Sequence, residues 1–130
     1  MPLLLDTQVL VTVGLEGLTG VPAKVQKLLS DPNTELLLSA VSITEIAIKA
    51  SIRKLEATSL EVSDLIADLK LTVIPFTQAH AYRIFSLPLH HREPFDRMMI
   101  ATALHEGIPL VGGDDKFQLY ESEGLQLIWK

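Results

Sequence analysis

Hydrophobic positions along this chain come in short continuous runs and in helix-spaced stripes, and the two kinds of block alternate. Leu3, Leu4 and Leu5 form an apolar run that stops at Asp6, the pattern of a strand covered on both faces of a parallel sheet. Thr7–Val13 suits a helix directly after it, and Gly14, Gly17 and Gly20 mark a loop. Pro22 opens a second helical segment with Val25, Leu28 and Leu29 on one stripe, stopped by Asp31, Pro32 and Asn33. A strand is predicted at Leu36–Leu38, followed by a helix with Ser42 as N-cap, running to about Lys54. Ser59 opens a helix in which Val62, Leu65, Ile66 and Leu69 recur at helical spacing.

Leu71–Ile74 reads as a strand bounded by Pro75, and Thr77 to Phe85 returns to a helix. Pro88–Phe95 is polar, and Pro94 excludes a helix interior there. A helix then runs from Asp96 to His105 and ends near Gly107. Pro109–Val111 is a strand, Gly112 and Gly113 turn the chain, Asp114 starts a short helix reaching Tyr120, and Leu125–Trp129 closes with a strand. Strands alternating with helices argue an α/β domain of three layers with a mainly parallel sheet.

With 130 residues, 48% of them hydrophobic, the chain suits one compact domain over residues 1–130. It has no cysteine, which excludes disulfides, zinc–thiolate sites, iron–sulfur clusters and thiol nucleophiles. No basic region precedes the Leu run, so no signal peptide fits. No stretch approaches the roughly 18 apolar residues that span a membrane. A cytoplasmic location without membrane contact is the economical expectation. The net charge of −5 counts against simple nucleic-acid binding. It counts less against a nuclease, because metal ions can bridge an acidic pocket to phosphate.

Placement of the acids is the informative part. Asp6 ends the first strand, Glu45 falls in the first turn of the helix after the second, and Asp114 follows the fourth. Carboxyl ends of strands in an open α/β sheet line the crevice where ligands bind. Asp96 starts the helix leading into the fourth strand. Crowded carboxylates repel unless a cation intervenes, and hard ions such as Mg²⁺ or Mn²⁺ favour oxygen donors. An ion there can lower the pKa of a water, and two about 4 Å apart can stabilise attacking and leaving oxygens. Each acid also has a structural reading: Ser42-x-x-Glu45 matches a capping box, Asp114 an N-cap, and Asp96 a partner for its helix dipole. Asp6, abutting a core strand, is the hardest to explain without a partner.

The segments LLLDT at Leu3–Thr7, SAVSITEIAIK at Ser39–Lys49, LPLHHREPFDRMMIATA at Leu87–Ala103 and PLVGGDDKFQLY at Pro109–Tyr120 resemble the four blocks of PIN domains. The similarity is closest to VapC-type toxins bearing an HHR-x-PFDR segment. That resemblance implies an α/β/α sandwich on a parallel sheet of about five strands. It also implies an endoribonuclease using Mg²⁺ or Mn²⁺, with Asp6, Glu45 and Asp96 as principal metal-binding acids and Asp114 as the fourth. Asp114 matches in preference to Asp115 because it stands three residues before Phe117. A small cognate antitoxin, RNA as substrate, DNA contact only through the antitoxin, and a homodimer are further implications. The sequence departs from the pattern at Gly112, where Thr or Ser is common, at Gln8, where the subgroup often has His, and at Thr44, where Trp is common.

Around the acids, Thr7, Lys49, Arg92, Arg97, Gly112 and Asp115 are candidates for substrate or supporting contacts. Lys49 stands four residues after Glu45, the spacing of a helix ion pair. Arg92 and Arg97 are placed to touch phosphate or, for Arg97 in particular, to pair with a carboxylate. His90 and His91 fit loop support or RNA contact. Tyr82, Phe85, Phe95, Phe117, Met98 and Met99 read as packing residues. Two other functions compete: a catalytically weak PIN-like module that binds RNA or protein, and a DNA-directed nuclease. No Gly-x-Gly-x-x-Gly follows a strand, which disfavours a dinucleotide enzyme.

Overall fold

The computed structural model describes all residues, Met1–Lys130. Five strands form one sheet: β1 (Pro2–Leu5), β2 (Glu35–Ser39), β3 (Thr72–Ile74), β4 (Leu110–Val111) and β5 (Leu127–Ile128). Their order is β3-β2-β1-β4-β5, and every neighbouring pair runs parallel. The chain builds outward from β1 to β2 and β3, then returns to lay β4 and β5 on β1's other edge. Between β1 and β4 lies the point where strand order reverses, where open α/β sheets form a crevice at the strands' carboxyl ends.

The apolar run of β1 explains the layering. Leu3, Leu4 and Leu5 are all fully buried, and alternate side chains of a strand face opposite ways. Leu3 and Leu5 join Leu36, Leu38, Val9, Leu10, Val25 and Ile46 in one core. Leu4 joins Leu37, Ile100, Leu110, Phe117 and Tyr120 in the other. Helices α1 (Thr7–Glu16), α2 (Ala23–Ser30), α3 (Ala40–Ser51) and α4 (Ser59–Asp68) serve the first core, and α6 (Pro94–Glu106) serves the second. Helix α5 (Gln78–Arg83) packs on α6. The result is the expected three-layer α/β/α domain. No helix is long and apolar enough to cross a membrane.

Several boundaries differ from the sequence reading. Helix α1 continues to Glu16, so Gly14 lies in a helix and not in a loop. A Cβ at Gly14 would stand 3.1 Å from the Leu65 side chain, so the glycine lets α4 approach α1 closely. Helix α3 begins at Ala40 with Ser39, not Ser42, as N-cap, its side chain accepting from the Val41 amide. The Ser42–Glu45 capping box is therefore not formed, and Glu45 lies in the second turn. Helix α6 begins at Pro94, with Glu93 as N-cap accepting from the Asp96 amide at 2.8 Å. Asp96 is thus the third helical residue, and Pro94 occupies the first position, where a missing N–H does no harm. Tyr82 and Phe85 are not packing residues: they are 62% and 89% exposed and stack on each other.

Candidate active site

Three elements bring the acids to the sheet's carboxyl edge. Asp6 is the residue between β1 and α1, Glu45 projects from α3, and Asp96 from the first turn of α6. Asp114 lies after β4 and caps a 3-10 helix (Asp115–Glu123), its Oδ1 accepting from the Lys116 amide at 2.8 Å. Asp6, Glu45, Asp96 and Asp114 line one crevice together with Thr7, Lys49, Glu16, Glu93 and Trp129. Two smaller, apolar grooves run along α4, and none of these acids lines them. The concentration of charge marks the acidic crevice as the chemical site.

Burial sets the electrostatics. Asp6 is 4% exposed. Removal from water, then repulsion from Asp96 and Glu45, lifts its carboxyl to about 8. The Thr7 and Gln8 amides pull the other way, without closing a capping hydrogen bond to its side chain. Asp96 is lifted to about 6, chiefly by burial and with a contribution from Glu93, against the opposing hydrogen bond of His91. Glu45 Oε2 holds the Lys49 ammonium at 2.6 Å, and this bond is the main reason the Lys49 pKa rises. The other oxygen, Glu45 Oε1, is buried and has no partner at all.

Thr7 is buried at the crevice wall, and its hydroxyl donates to Ser42 Oγ at 2.8 Å. Lys49 is the only basic side chain lining the crevice. Arg92 is exposed and does not line it. Asp115 is exposed on an adjoining depression that includes Asp114 but not Asp6, Glu45 or Asp96. Arg97 makes no pair with a carboxylate. Its guanidinium donates to the Pro88, His91 and Leu87 carbonyls and to the Tyr120 hydroxyl, which ties down the loop before α6.

Sequence reasoning left His91 out of the acidic centre. The structure places its Nε2 2.7 Å from Asp96 Oδ2 and 3.4 Å from Asp114 Oδ2. His91, Asp96 and Asp114 present donor atoms within 4.8 Å of one another, a cluster able to coordinate a metal ion. A signal was present: His91 stands five residues before Asp96 in the HHR-x-PFDR block. Glu93 and Glu16 were also missed, because helix capping and the return of α1 past the crevice are not visible in residue spacing.

Gly112 is explained by packing, not by looseness. A Cβ there would meet the Phe117 ring at 2.9 Å and Asp6 Cβ at 3.0 Å. Gly112→Thr, which restores the hydroxyl common in VapC-type sequences, is expected to destabilise the chain by about 1–3 kcal/mol through overpacking. Urea melts check this, and a variant as stable as the parent refutes it.

The donor set fits a hard divalent ion: carboxylate oxygens from separate elements, with Asp6 and Asp96 raised in pKa chiefly by burial and further by neighbouring acids, and with one buried Glu45 oxygen lacking any partner. The family model described as PIN domain matches residues 3–122. The chain belongs to the PIN-domain family. No curated protein sequence matches it. Among solved structures, it is similar to VapBC2 from Rickettsia felis bound to a DNA fragment from its promoter, with 19% identity, TM-score 0.73 and full coverage of both chains. It is also similar to VapBC-1 from nontypeable Haemophilus influenzae, at 15% identity and TM-score 0.66, covering 98% of this chain and 97% of that one. VapBC-5 from Mycobacterium tuberculosis gives 17% identity and TM-score 0.62 over 99% and 98%.

Proposed function

We propose that this chain is a metal-dependent endoribonuclease that hydrolyses RNA phosphodiester bonds and serves as the toxin of a toxin–antitoxin pair. The observation that carries the reading is the buried Asp6 carboxyl at the switch point, crowded by Asp96 and Glu45. Asp6, Glu45, Asp96 and Asp114 hold Mg²⁺ or Mn²⁺. When bound, the ion supplies an activated water and offsets charge building on the scissile phosphoryl group. The protein's own part is to hold these oxygens at the crevice floor and to neutralise one Glu45 oxygen with Lys49. Family membership and the toxin–antitoxin description of a solved relative support an antitoxin partner. RNA is preferred over DNA on the family resemblance, and a homodimer in the cytoplasm completes the proposal.

The experiment is cleavage of an end-labelled total RNA pool with Mn²⁺ or Mg²⁺, beside EDTA and Asp96→Asn controls and a matched DNA substrate. Discrete RNA products, lost in both controls, are expected. Removing one acid from a set that acts as a unit should lower the rate by roughly 10²-fold or more. Cleavage that survives EDTA and Asp96→Asn refutes the reading. A second reading, a catalytically weak module that binds RNA or protein, draws on the crevice holding one lysine among six acids. Cation binding without cleavage of any pool would favour it.

A further inference from the structure

We infer that His91 is a positioning residue for the acidic centre: its Nε2–H donates to Asp96, beside Asp114, and sets that carboxylate for a divalent cation, without becoming a ligand. The inference rests on the metal-dependent reading above. It goes beyond that reading by assigning a role to a side chain outside the acids.

Three observations carry it. First, His91 is 7% exposed and does not line the crevice, although both carboxylates it touches do. The ring is therefore withdrawn from the crevice that the carboxylates line. Second, its Nδ1 is buried with no hydrogen-bond partner. A ligating Nε2 must be bare, which moves the ring proton to Nδ1 as a buried donor without an acceptor. Such donors are rare, and metal-bound histidines almost always give that N–H to a carboxylate, carbonyl or water. With the proton on Nε2, Asp96 Oδ2 receives it at 2.7 Å and only an acceptor site is left open. Third, the residue is fixed at both ends of its backbone. The His91 amide donates to Tyr120 Oη at 3.0 Å, its carbonyl accepts from Arg97 at 3.2 Å, and its ring meets Phe117 edge-on. These contacts fix where Nε2 points, so the Asp96 carboxylate is held by a rigid partner.

The consequence is geometric. His91 Nε2 donates to Asp96 Oδ2, Asp114 Oδ2 stands 3.4 Å from the same nitrogen, and Asp114 Oδ1 is held by the Lys116 amide. Asp96, which would otherwise be free to rotate away from its acidic neighbours, is fixed in orientation by His91, the usual task of a partner placed outside the metal ligands.

The test measures Mn²⁺ binding by the loss of the free-ion EPR signal, in the full chain and in His91→Phe, His91→Gln and Asp6→Asn. His91→Phe keeps the ring volume and removes the donor; His91→Gln keeps an N–H donor. Affinity is expected to fall about 10- to 100-fold in His91→Phe and to recover most of that in His91→Gln. Pulsed EPR on Mn²⁺ bound to the unaltered chain, labelled with ¹⁵N-histidine, is expected to show no directly bonded nitrogen. This last reading does not depend on any variant folding. A directly bonded histidine nitrogen overturns the inference, as does His91→Phe binding Mn²⁺ as tightly as the parent, or His91→Gln proving as weak as His91→Phe. Asp6→Asn separates the two claims. If it binds Mn²⁺ like the parent, the acidic metal site itself is refuted. If it loses binding while His91→Phe keeps it, only the positioning role falls.

Discussion

Asp6→Asn is expected to abolish RNA cleavage and yet raise the melting temperature of the cation-free protein at pH 8. The opposite signs follow from the carboxyl's burial. In the unfolded chain it ionises near 3.8, and in the folded chain at about 8. Between those values the folded state holds a proton that the unfolded state releases, so stability falls as pH rises through the window. Each unit corresponds to about 1.4 kcal/mol, so the full loss above pH 8 is on the order of 5 kcal/mol. Asparagine has nearly the same shape and no charge, and it escapes this loss. Recovering about half of it should raise the melting temperature by roughly 5–10 °C. At pH 4 the two proteins should melt together. Saturating Mn²⁺ should reverse the order, because only the parent gains binding free energy on folding. At pH 7 Asp6 still holds most of its proton, so cation binding should release it. Calorimetry in two buffers of different ionisation enthalpy reads that release. An Asp6→Asn protein that melts below the parent at pH 8 would show that the carboxyl is not under strain in the folded state.

A second large effect is expected at Arg97, for reasons of structure and not of RNA contact. Its planar guanidinium reaches three carbonyls of the preceding loop and the Tyr120 hydroxyl. Lysine carries the same charge as a point and cannot span those acceptors. Arg97→Lys leaves part of the set unsatisfied and should destabilise the chain by about 2–4 kcal/mol. The loop from Leu87 to Arg92 should become the first site of limited proteolysis. A fully stable Arg97→Lys with weakened RNA binding would instead assign the side chain to phosphate.

The sequence made the layers and the crevice legible because both follow from local rules. A triple leucine ending in aspartate announces a two-sided buried strand with an acid at its end, and the strand ends place Glu45 and Asp114 near the same edge, while Asp96 is placed there by the resemblance to PIN domains. What stayed hidden depends on side chains meeting across the chain. Ser42 looked like a helix cap, but its hydroxyl faces Thr7, and the cap is Ser39. Arg97 looked like a partner for a carboxylate, but the loop carbonyls surround it. His91 had no ligand spacing to recommend it, and its role depends on the fold joining α6 to the turn after β4. Gly112 read as a missing hydroxyl, and only the approach of Phe117 and Asp6 shows why no side chain fits there.

The order of the strands also governs when the acidic cluster can form during synthesis of the chain. β4 is made after β1, β2 and β3, yet it seats against β1 on the edge opposite β2. Until residues 110 and 111 emerge, Leu4 and Leu5 present an unpaired strand edge, the kind of surface that invites wrong pairing. Asp114 follows β4, so every shorter nascent chain lacks both the edge partner and the fourth acid. One late segment thus ends the period of greatest vulnerability to aggregation and completes the acidic cluster in the same step. The four carboxylates of the crevice come together only once β4 has seated against β1.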